Sequence, residues 1–424
     1  MDNRISRRSF LKLLGAGATL LLFSGLGLGR ILPFVSGARS RSRSKSRTKS
    51  TVGGATTTNT TNSNTATNTT FKVGADVGTF GGKYGWDMGH NQLSADILWD
   101  TTLPLTRDLS QLDPNPSIPY ITQNPQAIEE VFQPLQGLDL VKIYLFEENE
   151  GLVFDGNNNN RLIGIDGELV NNVKKVLDTA HKYNIQVYFI LIDCWLVNDL
   201  EYNADTLPSD RKAAYRGWKG TQRTILKSII TDPEYFSNVV LTPLLEQIKD
   251  HPALFGFDLL NEPEAMIKDD PTHLISDNDV INFIIGCTAS ITKIAPRLKT
   301  SVGCDDTNVA RRYAAATPIS FADYHAYIKP GENLEDYKAL EYAGKDLLLG
   351  ECGIYHDDDT KPPTPEIVAN ELAVTEKIVS QAQAKGYSGA LVYGLFSSVF
   401  MAPEHKPILL AWLKQFKNSL SSLT

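Results

Sequence analysis

Cysteine and histidine are scarce in this chain, with four and seven among 424 residues. Cys194, Cys287, Cys304 and Cys352 form no Cys-x-x-Cys pair and no Cys/His spacing of the zinc type, so neither a structural metal nor any other cofactor is expected. In an exported protein they could form one or two disulfides, but four cysteines admit three full pairings, and the sequence does not choose among them. Basic residues are also short where a core can form. Beyond residue 70 there are 30 Lys and Arg against 48 Asp and Glu, a net charge of −18 hidden behind the whole-chain value of −8. Such a surface repels polyanions and offers no basic footprint, which excludes nucleic acid as the partner and favours a neutral substrate. No Gly-x-Gly-x-x-Gly follows the first apolar run, which counts against the runner-up fold, an open dinucleotide-binding sheet.

What is present falls into three stretches, 1–37, 38–70 and 71–424. Ser6-Arg7-Arg8-Ser9-Phe10-Leu11-Lys12, followed by an uncharged apolar run over 13–29, reads as a twin-arginine export signal. That run has 17 residues, five of them glycine, which is short for a permanent span. Ser36-Gly37-Ala38 is a passable cleavage site, and an uncleaved signal would leave a membrane tether. The expected location is therefore secreted or cell-surface associated. Residues 38–49 alternate Ser with Arg or Lys, and 51–70 are almost entirely Thr, Asn, Ser, Gly and Ala. This composition lacks the apolar area that offsets ordering entropy, so 38–70 reads as a disordered linker.

From Phe71 the pattern changes. Short apolar runs at 71–77, 139–146, 185–192, 254–260, 298–302, 321–324, 346–349 and 389–393 alternate with amphipathic stretches. The latter include 167–183, 232–250, 277–295, 365–385 and 406–419. Eightfold β-α alternation in one chain predicts a closed (β/α)8 TIM barrel, a single α/β domain. The 354 or so residues exceed the ~250 of a bare barrel, so long insertions are expected at 78–124 and 196–230, after strands one and three. Both carry aromatics: Tyr84, Trp86 and Trp99 in the first, Tyr202, Tyr215 and Trp218 in the second.

Acidic residues follow the apolar runs at two places. Strand four ends in Leu259-Leu260-Asn261-Glu262-Pro263-Glu264, and strand seven in Leu347-Leu348-Leu349-Gly350-Glu351-Cys352. A carboxylate beside a buried run is costly to desolvate and is tolerated where it has partners or work. Two at matching strand ends suit a division of labour in which one protonates a leaving oxygen and the other attacks carbon.

At these residues the chain resembles the clan of (β/α)8 retaining glycoside hydrolases, most nearly glycoside hydrolase family 5, over 71–423. The resemblance implies Glu262 as acid/base, Glu351 as nucleophile, and Asn261 as the residue that binds the sugar 2-hydroxyl. Asp323-Tyr324-His325-Ala326-Tyr327 is similar to the clan's His-x-Tyr after strand six. There His325 would line the sugar site and Tyr327 would hydrogen-bond the nucleophile. Lys142 stands where the clan usually has an arginine bracing the nucleophile, and Tyr393 where a tryptophan usually floors the sugar. Trp195, after strand three, is the candidate stacking platform, because pyranose faces pack on flat rings. Trp412 reads as core, His356 and Asp357-Asp358-Asp359 as a solvated loop above the site, and 157–160 as a turn.

The implied activity is double-displacement hydrolysis of a β-linked oligo- or polysaccharide of mannan or glucan type, by a monomer. A retaining pair should hold its carboxyl groups about 5 to 5.5 Å apart, and an inverting pair about 6.5 to 9.5 Å. The competing readings are a noncatalytic carbohydrate-binding surface protein on the same barrel and a metal-dependent hydrolase. The metal reading is weakened because only His325 is a histidine at a strand end.

Overall fold

The computed structural model describes residues 70–79, 126–146, 151–155, 161–194, 223–267, 274–355, 364–395, 401–402 and 404–421. The proposed signal and linker lie outside these residues. So do most of the two expected insertions, Trp195, His356, the Asp357–Asp359 run and the 157–160 turn. Of the second insertion, 223–230 is helix.

Eight parallel strands close into a barrel: β1 (Lys72–Thr79), β2 (Leu140–Tyr144), β5 (Gln186–Ile190), β6 (Leu254–Asn261), β7 (Lys299–Cys304), β8 (Ala322–Ile328), β9 (Leu347–Ile354) and β10 (Gly389–Tyr393). Each pairs with its neighbour in order, and β1 pairs with both β2 and β10 to complete the ring. A two-stranded antiparallel ribbon, β3 (Leu152–Asp155) with β4 (Arg161–Ile165), stands apart after β2. Strands of four and five residues carry too little period to be seen in the sequence, and this ribbon was not expected.

The helices named here are α1 (Gln126–Leu135), α2 (Gly167–Lys182), α3, α4 (Asp277–Ile294), α5 (Thr307–Ala316), α6 (Pro365–Ala384) and α7 (His405–Ser421). Helix α3 is one run, Pro233–Phe236 continuing through a π segment, Ser237–Leu241, into Thr242–Ile248. Their starts are written in cap residues. Asp232, Ser276, Asp306 and Thr364 each accept a first-turn backbone N–H, and Ser276 with Asp279 completes a capping box. Trp412, on α7, stacks on Phe416 at 5.1 Å and packs against the core, as its helical position implied.

Alternation on each strand divides the molecule into two interiors. On β2, Val141 and Ile143, with Leu145 just beyond the strand, join the main core, whereas Leu140, Lys142 and Tyr144 face the barrel axis. On β8, Ala322, Tyr324, Ala326 and Ile328 join that core, leaving Asp323, His325 and Tyr327 to the axis. The floor of the barrel is a separate apolar plug of Leu140, Tyr188, Phe321, Leu348 and Leu391, with Phe255 against it.

Two irregularities set the site. Between β8 and β9 the register runs Tyr324↔Leu349 and then His325↔Glu351, so Gly350 is an extra residue. Between β6 and β7, Asp258↔Ser301 is followed by Asn261↔Gly303. Such bulges shift alternation by one and re-aim the side chains beyond them. β8 and β9, the sixth and seventh barrel strands, run on to Ile328 and Ile354, past the expected ends at Tyr324 and Leu349, and Glu351 lies within its strand rather than after it. The apolar pattern stopped early because the remaining inward residues are polar.

Candidate active site

Glu262 closes β6 in a left-handed backbone conformation, φ +50°, costly for a non-glycine residue. The turn is held on both sides. Its N–H donates to the Gly303 carbonyl at 2.8 Å, its carbonyl accepts from Ala265 N at 3.0 Å, and Pro263 fixes the next φ. Strand thus converts into the helical turn Glu264–Ile267 within two residues, and the Glu262 side chain is left at the barrel mouth.

Opposite stands Glu351. A carboxylate oxygen of Glu262 and one of Glu351 lie within 4.8 Å of each other and of a His325 ring nitrogen. Their surroundings differ. Glu351 keeps 4% of its side chain exposed and receives Tyr327 Oη at 2.7 Å on Oε2 and Tyr144 Oη at 3.4 Å on Oε1. Burial and the Glu351 charge keep the Tyr144 phenol well above its ordinary range, so it stays a donor. Glu262 keeps 12% exposed and meets His325 Nδ1 at 2.9 Å through Oε1, while Nδ1 lies 3.6 Å from Glu351 Oε1.

Below the pair is a charged layer. Lys142 is fully buried, its Nζ 3.0 Å from Asp258 Oδ2, 3.3 Å from Asp323 Oδ2, 3.0 Å from His325 Nε2 and 3.9 Å from Glu351 Oε1. Burial opposes its charge, but Asp323, Asp258, Glu351 and Asp76 outweigh that and hold the amine well above its usual range. Burial pushes Asp258 up to about 6 against the pull of Lys142. Tyr188 Oη donates to Asp323 at 3.0 Å and also bonds Ser301. Asp258 Oδ1 accepts the Gly303 N–H at 2.8 Å. A Cβ at Gly350 would fall on the Asp323 carboxylate, and one at Gly303 on Asp258 and His325, so both glycines make room for this layer.

Asn261 is buried, and its Nδ2 donates to Asp193 Oδ1 at 3.0 Å, which fixes the amide. Tyr393 closes β10 with its ring edge-on to Tyr327 at 5.9 Å, 88° between planes. A small pocket behind these tyrosines is lined also by Gly353, Ile354, Thr375, Met401 and Glu371. There Glu371 receives the Ala402 N–H at 3.2 Å and meets His405 Nδ1 at 2.6 Å, which ties the segment after β10 to α6.

The structure thus gathers Glu262, Glu351, Asn261, His325, Tyr327, Lys142 and Tyr393 at one end of the barrel, while Trp195 lies outside the described residues. Lys142, which stands where the clan has an arginine bracing the nucleophile and was grouped with the substrate-binding residues, sits beneath the pair with no exposed surface, so it can act only through its neighbours. Asp258, Asp323 and His325 are placed to hold a cation, and the Lys142 ammonium lies among all three. Tyr144, Asp258, Asp76 and Asp193 were not singled out as site residues. The signal available for Asp76 and Asp258 was a lone acid inside an apolar strand. All four cysteines are buried and unpaired, with the Cys352 thiol pushed up by burial and the adjacent Glu351.

No family model matches the chain. A curated relative, the mannan endo-1,4-β-mannosidase of Mytilus edulis, is 23% identical over 286 residues, 60% of this chain and 72% of that protein. Among solved structures, the β-mannanase of Mytilus edulis superposes with a TM-score of 0.52 at 16% identity, over 81% of this chain and 92% of that one. The β-1,4-mannanase of Aplysia kurodai gives 0.49 at 17% identity, over 69% and 86%. The chain is similar in sequence to the first and shares the (β/α)8 fold of the second.

Proposed function

We propose that this chain is a β-glycoside hydrolase that cuts a β-1,4-mannan-type backbone by double displacement, with Glu351 as nucleophile and Glu262 as acid/base. The observation that carries the reading is the pair of carboxylates with oxygens inside 4.8 Å at the C-terminal mouth of a closed barrel. That spacing suits direct attack on the anomeric carbon better than an interposed water. The roles follow from the surroundings. Glu351 is the more buried and receives two phenol hydrogens, which stabilise a carboxylate poised to attack and then the leaving carboxylate of the ester. Glu262 is the more open and has one oxygen on His325, so it can carry its transferable proton on the other.

In the first half-reaction Glu351 bonds to the anomeric carbon as Glu262 gives its proton to the departing oxygen. In the second, Glu262 takes a proton from water, whose oxygen displaces Glu351. Asn261, oriented by Asp193, is placed for the sugar 2-hydroxyl, and Tyr393 and Trp195 for the sugar faces. The mannan preference and internal cutting rest on the curated Mytilus edulis relative, a mannan endo-1,4-β-mannosidase. The noncatalytic binding reading has no observation in its favour.

Export by the twin-arginine route, with a membrane tether if the signal is retained, and action as a monomer complete the proposal. Four buried thiols suit a fold set in a reducing compartment before export. Reducing-sugar release from β-mannan, compared with β-glucans, tests the activity. Binding without release by the wild type would refute it.

A further inference from the structure

Glu371 is a buried acid that the proposed chemistry does not use. It sits in the first half of α6, 1% exposed, and its two oxygens are treated differently. Oε2 receives the Ala402 N–H at 3.2 Å and meets His405 Nδ1 at 2.6 Å, whereas Oε1 has no hydrogen-bond partner among the described residues. Burial pushes the carboxyl up, and the bonds from His405 and the Ala402 N–H oppose that shift. A carboxylate kept this dry with one oxygen unmatched costs stability, and apolar contact would join α6 to α7 at lower cost. Such a group is tolerated where it holds something in place.

What it holds is one turn. The His405 N–H donates to the Ala402 carbonyl at 2.9 Å, so both contacts of Oε2 grip the same closed turn at the start of α7. One residue before Ala402, Met401 lines the small pocket behind the active-site tyrosines, together with Tyr393, Tyr327 and Thr375. Tyr393 ends β10, and the chain leaves it through Gly394 at φ +75°, so the strand stops at the ring it presents. That ring is met edge-on by Tyr327, with the pocket and Met401 at its back. A tyrosine is smaller than the tryptophan usual in the clan, so its pose depends on what backs it. We propose that Glu371 and His405 form a latch that fixes the turn at Ala402 and, through Met401, the Tyr393 ring on which the sugar packs. Glu371 is a positioning residue acting through Tyr393, and the consequence for binding rests on the mannan reading above.

The latch can be read without any sugar. The chain has four methionines, and in full-length protein labelled with 13C at the methionine methyls the Met401 signal is assigned by its loss in Met401→Leu. Aromatic rings shift the signals of methyl groups packed beside them, so Tyr393→Leu should move this signal, and Glu371→Leu should move it in the same direction. His405→Leu, at a partly exposed position, cuts one of the two links and should give a smaller shift of the same sign, which keeps the test decisive if Glu371→Leu does not fold. A Met401 signal that ignores Tyr393→Leu, or ignores the latch variants that fold, overturns the inference.

Binding is then measured by calorimetry with β-1,4-mannohexaose in the Glu351→Gln protein, which does not turn the sugar over. Adding Glu371→Leu should weaken Kd by about two- to tenfold, the range of a single aromatic packing contact. Adding Tyr393→Leu instead should cost at least as much, and the two together no more than Tyr393→Leu alone, because the latch acts through the ring. An unchanged Kd in Glu371→Leu, or losses that multiply in the double variant, would mean that Glu371 supports only the fold at large and would overturn the inference. A Glu351→Gln protein that binds no mannohexaose but shows the stated Met401 shifts would sink the mannan reading and leave the latch standing.

Discussion

The two ends of the barrel interior are built from the same strands and obey opposite rules. At the floor, Leu140, Leu348 and Leu391 with Tyr188 and Phe321 fill the axis with apolar volume. Two residues along from Leu140 and from Leu391, the same inward faces present Lys142 and Tyr393, and on β9 the inward residue after Leu348 and Gly350 is Glu351. The plug keeps water from the charged layer beneath the active site, so that layer is held by internal pairs rather than by solvent. In such a place an unpaired charge is expensive, and this explains why Lys142 has three acceptors around it. The difference teaches that the floor is built for stability, whereas the mouth gives up stability, at φ +50° for Glu262 and in a crowd of carboxylates, for chemistry.

Substitutions at the two ends should therefore separate activity from stability. The largest effect on turnover is expected from Glu351→Gln, which should lower kcat on every glycoside by more than about 10⁴-fold with the melting temperature nearly unchanged, since no covalent intermediate can form. Glu262→Gln should cost about 10² to 10⁴-fold on substrates with poor leaving groups and far less for glycosylation by a dinitrophenyl glycoside, as read by the burst phase. At the floor, Leu348→Ala should behave oppositely, losing about 2 to 5 kcal/mol of unfolding free energy in urea with kcat of the folded enzyme close to wild type.

Gly350→Ala tests the boundary between the two regions. Its Cβ falls on the Asp323 carboxylate, so both stability and kcat should drop, and a neutral result would break the division.

The smallest effect concerns pH. Asp258 is pushed above its unfolded value, to about 6, so between about pH 4 and 6 the folded state binds more protons than the unfolded one, and this group's contribution to stability falls as pH rises. Asp258→Asn should flatten that part of the stability profile, as measured by urea unfolding across the range.

The scaffold was legible in the sequence because it rests on outward faces. Val141, Ile143 and Leu145, or Ala322 and Tyr324, give apolar runs that mark all eight strands, and the amphipathic periods mark α2, α3, α4, α6 and α7 within a few residues. Asn261-Glu262-Pro263 was legible because a kinked strand end has its own chemistry. The charged layer was not. Asp258 and Asp323 are single acids in apolar runs, and the bulges at Gly350 and between Asp258 and Asn261 shift the alternation that would have shown which way they and Glu351 point. Nothing local in the sequence says that Lys142 lies nearer His325 than Glu351, because that depends on the register of three strands.

The most direct test of the central claim is the anomeric configuration of the first product. Released sugar can be followed by proton NMR during the first minutes of hydrolysis of a β-1,4-mannooligosaccharide, before mutarotation. Double displacement through Glu351 predicts that the new reducing end appears as the β-anomer and only later equilibrates. Initial appearance of the α-anomer would mean single displacement by water and would contradict the assignment of Glu351 as nucleophile.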